Sequence, residues 1–151
     1  MVEWGILAVL MLVLVGVFGR QVRVVQGQGE LAAVQSTLGA LRTAFVIEHL
    51  QQAVKSQGLG VVVPQRNPFM LLKSQPANYA GEFATMNIHT AAPGRWVFDP
   101  GCGCIGYIPL HLEWLESPAN MTAVWFRISA PPGPLSITPL HTYIWQGQVV
   151  N

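Results

Sequence analysis

Glu3 stands directly in front of Trp4–Phe18, a run without another charge. A carboxylate in that place needs either a cation or the water of a headgroup layer. Paired with a cation it would be neutralised at membrane depth; at an interface alone it would do nothing further. Cys102 and Cys104, in GCGC, are the second candidates. A Cys-x-Cys pair supplies two metal ligands, a redox pair or local disulfide, or two inert turn thiols, and the spacing leaves all three open. The histidines His49, His89, His111 and His141 are scattered and complete at best half a zinc site, so no metal is expected. Asp99, Glu113 and Glu116 could be cast as a carboxylate pair or calcium ligands, but no Asp-rich loop accompanies them and solvated surface acids are the expectation. No Gly-x-Ser-x-Gly or His-Glu-x-x-His occurs, so no catalytic residue, enzyme activity or cofactor is assigned. Trp96, Trp114, Trp125 and Trp145 are expected in a core or an interface.

The elements that carry these residues divide the chain in two. At 151 residues there is room for one modest globular unit and an appendage. Hydrophobic residues make up 51% of the chain and charged ones 10%, which is too little charge for disorder and too much apolar weight for one small core. Eight basic against seven acidic side chains leave +1, without a basic cluster, so nucleic-acid binding is not expected. As a helix, Met1–Phe18 spans roughly 25 Å, just enough to anchor in a hydrocarbon core of about 30 Å. A secretory signal would carry a positive leader and a small-residue cleavage site; here Glu3 precedes the run and GRQVRVVQ follows it. The run is apolar on all sides, which favours a membrane helix over a core helix. Arg20 and Arg23 just beyond it vote for a cytoplasmic location of that end.

From Glu30 the pattern turns amphipathic. Leu31, Val34, Leu38, Leu41 and Phe45 form one stripe, while Glu30, Gln35, Arg42 and Glu48 are assigned to other faces. No proline precedes Pro64, so both runs can share one helix of more than fifty residues, with Gly58 and Gly60 as its natural stop. Beyond it, RWVFDP and CIGYIPL read as a hairpin around Gly-Cys-Gly, TAVWFRISA as a half-buried strand and LHTYIWQGQVV as a last strand. The expected fold is α+β: a long N-terminal helix packed on a small sheet of about four antiparallel strands. Its segments are 1–22 as the membrane helix, 23–58 as the amphipathic continuation and 59–151 as the β-rich globular region.

Two stretches together resemble the type IV pilin-like proteins, a bacterial family of pilins and type II secretion pseudopilins. MVEWGILAVLMLVLVGVFG followed by ELAAVQSTLGALRTA is similar to the family's N-terminal helix. RNPFMLLKSQPANYAGEF with GRWVFDPGCGCIGYIPL is similar to a segment running Asn-Pro-Phe, Tyr-Ala-Gly-Glu, Trp-x-Phe-Asp and Tyr-x-Pro. The likeness covers about two thirds of the chain; residues 110–151 match no pattern of the family. It implies a non-catalytic filament subunit held by its helix in the bacterial inner membrane, single-pass, its C-terminal region periplasmic or displayed on the filament. Its implied partners are copies of itself or other pilin-like subunits, the pilus or secretion assembly machinery and, if a leader exists upstream, a prepilin peptidase. Glu3 would pair with a neighbour's methylated N-terminal amine. The family's glutamate is fifth after the cleavage point, whereas Glu3 is third, which implies a basic leader and two mature residues ahead of Met1 and would override the vote of Arg20 and Arg23. The family's helix-bending proline is absent, with Arg20 near its place. A sheet outside the cytoplasmic membrane would favour the Cys102–Cys104 disulfide. The reading of a different class is a single-pass membrane sensor or accessory binding protein that does not polymerise.

Overall fold

The computed structural model describes residues 2–55, 67–83, 90–118, 121–129 and 136–150. The side chains of residues 2, 3, 52, 53 and 55 lie outside that description, as does the helix stop expected at Gly58 and Gly60. One helix, α1 (Val2–Lys55), carries both the apolar and the amphipathic runs; its 54 residues extend about 80 Å. With no proline to remove a ladder hydrogen bond, nothing interrupts it.

The β-rich part is larger and less uniform than expected. Strands β1 (Tyr79–Glu82), β2 (Arg95–Asp99), β3 (Cys104–Ile108), β5 (Val124–Ser129) and β6 (Ser136–Pro139) form a sheet in the order β1-β2-β3-β5-β6. Its pairings are antiparallel except that of β1 with β2, which is parallel. A second sheet of three strands joins β4 (Leu115–Glu116), β7 (Ile144–Trp145) and β8 (Gln148–Val149). The expected β2–β3 hairpin is present, and Gly103 supplies the positive φ (64°) in its turn. The single last strand is instead the hairpin β7–β8. Gln146 at φ 47° and Gly147 at φ 80° make the left-handed pair that a two-residue turn requires, which folds the segment back on itself.

The helix stripe Leu31, Val34, Leu38, Leu41 and Phe45 is buried against one face of the larger sheet, where Trp96, Phe98, Ile105, Tyr107, Val124, Phe126 and Ile128 meet it. Arg42 closes the far edge by donating from Nη2 to Ile137 O at 3.0 Å. The opposite face is covered too, by a smaller cluster of Val97, Cys104, Ile108, Ala123 and Trp125 against Phe83, Ala91, Met121 and Leu140. Two covered faces explain why β5 is not the half-buried strand its alternation suggests. Val124, Trp125, Phe126 and Ile128 are all buried and Arg127 alone is exposed. Gly106 lies between Val97 and Trp125 across the strands, where a Cβ would come within 2.9 Å of both side chains. A glycine there lets the Trp125 indole lie flat on the sheet.

Candidate functional site

The most conspicuous surface is the first half of α1. From Trp4 to Gln26 every residue is exposed, and the first buried position is Gly27. Trp4, Leu12, Val15 and Phe18 are 79%, 73%, 68% and 71% exposed, on all sides of the helix, so within the described residues nothing covers this surface. The same helix therefore serves as core after Gly27, while its uncharged run Trp4–Gly19 is an apolar rod with no covering partner among the described residues. The segment is long and apolar enough to cross a membrane. Glu3 lies in the first turn of α1, with its side chain outside the described residues.

Where the helix enters the domain, the sequence reading needs correction. Glu30 is not on a solvent face: it is buried, at 9% exposure. Its Oε1 accepts from the Tyr107 hydroxyl at 2.7 Å and from the Leu110 N–H at 2.9 Å, while Oε2 is buried with no hydrogen-bond partner. Glu30 precedes Val34 by four residues, hence lies on the buried stripe itself; that spacing was the available signal, overridden by the charge of the residue type. Burial, then the hydrogen bond to Glu30 and the negative charge beside it, push the Tyr107 phenol far above its ordinary range. The phenol is thereby kept protonated as a donor. One turn nearer the apolar run, the β7–β8 hairpin grips the helix backbone. Trp145 Nε1 donates to Gly27 O at 3.0 Å, and Gln146 Nε2 reaches Arg23 O at 3.5 Å.

The residues that carried the family likeness also converge, on a structural task. Asn67 is buried and caps a 3-10 turn over Pro68–Leu71 by accepting from Phe69 N at 3.1 Å. Its Nδ2 donates to the Tyr79 hydroxyl at 2.6 Å and to Glu82 Oε1 at 2.9 Å, tying that turn to β1. Phe69 stacks on Tyr79 (4.3 Å between ring centroids) and meets Trp96 at 5.9 Å; Trp96 meets Tyr107 at 4.9 Å and Tyr107 meets Trp145 at 6.2 Å. A continuous line of rings thus runs from the Asn-Pro-Phe turn across the sheet to the point where α1 leaves the domain.

Cys102 and Cys104 are joined by a disulfide in the β2–β3 turn, where Asp99 Oδ1 also accepts from Gly101 N at 2.8 Å. Cys102 is exposed and Cys104 buried. Asp99 belongs to that turn, whereas Glu113 and Glu116 are exposed on the 3-10 turn Leu112–Trp114 and on β4, so the three carboxylates fall on separate elements. His111 packs on Trp114 and His141 on Tyr143, His49 belongs to α1, and His89 lies outside the described residues. Among the described residues no group of three or more His, Cys, Asp or Glu side chains could hold a metal ion. Trp96, Trp114, Trp125 and Trp145 are all buried.

No family model, curated protein or solved structure matches the chain. The long helix on a small mixed sheet is consistent with a pilin-like architecture.

Proposed function

We propose that this chain is a structural subunit of a bacterial type IV pilus or type II secretion pseudopilus, assembled through the first half of α1. The observation that carries the reading is the abrupt change at Gly27 within one unbroken helix: beyond it the stripe is core, before it every residue from Trp4 to Gln26 is exposed. An apolar rod of that kind is compatible with a bilayer and with a bundle of like helices. Leaving the first for the second keeps its surface away from water throughout. The likeness of residues 1–19 with 30–44, and of 66–83 with 94–110, to pilin-like proteins supports the same role. In this reading the inner membrane holds the subunit before assembly, with the sheet on the periplasmic side or displayed along the filament. Glu3, whose charge at membrane depth costs about 2.5 kcal/mol or more when unpaired, is neutralised by the N-terminal amine of a neighbouring subunit.

Glu3→Ala in the full-length precursor tests it. The variant is expected to insert in the membrane and to disappear from the sheared filament fraction, read by immunoblot of both fractions. Incorporation at the level of the unsubstituted chain overturns the role of Glu3, and a chain that never enters a filament beside any pilin-like partner overturns the subunit reading.

A further inference from the structure

We infer that the domain is seated directly on the phospholipid headgroup layer, through the tip of the β7–β8 hairpin and the exposed Arg20 and Arg23 beside it. This rests on the reading of the first half of α1 as membrane-spanning, and it concerns a different surface, outside the hydrocarbon.

The hairpin descends along the helix toward its apolar end. Trp145 Nε1 bonds to Gly27 O and the next residue, Gln146, reaches Arg23 O, so one step along the hairpin moves one helical turn closer to Trp4. The Gln146 side chain lies over Gly27, in space that any Cβ at that position would occupy. A glycine at 27 is therefore what lets the hairpin lie flat on the helix. Gly147, Gln148 and Val149 follow, all exposed.

The height of that tip above the hydrocarbon follows from helix geometry. The uncharged run ends at Gly19, and Arg20 to Arg23 is about 4.5 Å along the axis. The headgroup layer on each side of a bilayer is about 5–7 Å thick, being half the difference between the full and the hydrocarbon thickness. With the edge of the hydrocarbon at Arg20, where the uncharged run has ended, the level at which Gln146 touches the helix lies about 4.5 Å further on and falls within that layer. No flexible linker intervenes, because α1 is helical throughout the interval, so the domain cannot lift away from the surface.

The chemistry of this end suits phosphate-bearing headgroups. Arg20 and Arg23 are exposed cations, and Gln146, Gly147 and Gln148 are polar and uncharged. The one carboxylate in the small sheet, Glu116, pairs with Ile144, on the side of β7 away from the tip. Val149, 52% exposed, offers the same end an apolar contact.

Spin labels at Met11→Cys, Gln148→Cys and Thr138→Cys test the seating in the full chain, with the Cys102–Cys104 disulfide kept oxidised. The chain is reconstituted in vesicles of phosphatidylethanolamine and phosphatidylglycerol, and collisions with oxygen and with a water-soluble nickel chelate are measured. Thr138 is the reference for bulk water: it is exposed on β6 next to Ile137, whose carbonyl takes Arg42, about 33 Å beyond Arg20 along the axis. The expected result is a Met11 label in hydrocarbon and a Gln148 label with nickel collisions several-fold below those at Thr138. A Gln148 label as accessible as Thr138, with Met11 in hydrocarbon, overturns the seating and spares the membrane reading. A Met11 label in water overturns both. Shielding of Gln148 that persists in detergent micelles and grows with protein concentration also overturns the seating, because a second copy then covers the tip.

Discussion

Replacing Tyr107 by phenylalanine removes one oxygen and leaves the aromatic packing against Trp96 and Trp145 in place. The lost group is the donor, at 2.7 Å, to a carboxylate oxygen that is buried, and the other oxygen of that carboxylate already lacks a partner. After the change Glu30 keeps a single donor, the Leu110 N–H. A hydrogen bond to a charged group is worth about 1.5–3 kcal/mol net, and because Oε1 keeps its second donor the loss falls in the lower part of that range, about 2 kcal/mol. For a domain of this size that is a fall in Tm of about 8 °C. The assay is thermal unfolding of the full chain in detergent micelles, followed by near-UV circular dichroism, because buried tryptophans report loss of packing. Glu30→Leu, alone and combined with Tyr107→Phe, completes a double-mutant cycle. The single Glu30→Leu change strands the phenol and the Leu110 N–H. In the combined variant the phenol is gone as well, so its cost falls short of the sum by about 1 kcal/mol or more. Additive costs, or a Tyr107→Phe variant as stable as the parent, would refute the reasoning that Glu30 is held as a buried acceptor.

Gly106→Ala is expected to destabilise the sheet by about 1–2 kcal/mol, since contacts of 2.9 Å with Val97 and Trp125 outweigh the smaller backbone-entropy gain; a Tm unchanged or raised in the same assay would contradict the packing described for the outer face. Alkaline unfolding should follow the tyrosines: burial raises the phenols of Tyr79, Tyr107 and Tyr143, with the Glu30 hydrogen bond and charge adding at Tyr107 and the hydrogen bond from Trp125 N opposing at Tyr143. Unfolded tyrosines ionise near pH 10, so the folded chain retains protons that the unfolded chain loses. The stability they contribute is intact below about pH 10 and falls above it, by about 1.4 kcal/mol per pH unit for Tyr107. Phenolate absorbance should then appear together with loss of the near-UV signal, and three phenols titrating near pH 10 in a folded chain would be the contrary result.

The parts of this protein legible in the sequence are those decided by neighbours three or four residues apart. Absence of proline and the spacing of Leu31, Val34, Leu38, Leu41 and Phe45 specify a continuous helix and its buried stripe, and the uncharged run Trp4–Gly19 marks the part that no small core can cover. Gly-Cys-Gly between two β-prone runs likewise specifies the β2–β3 hairpin. Tertiary structure alone decided the rest. Glu30 becomes an interior acceptor because Tyr107, 77 positions away, brings a hydroxyl to it, and its charge taken in isolation argues for solvent. The hairpin seat at Gly27 depends on Trp145, 118 positions away. The parallel pairing of β1 and the covered outer face of β5 arise from contacts between separate segments. Local periodicity says which face of an element is apolar; which group finally faces a buried charge is set by chain closure over long separations, and no short window of sequence contains both partners.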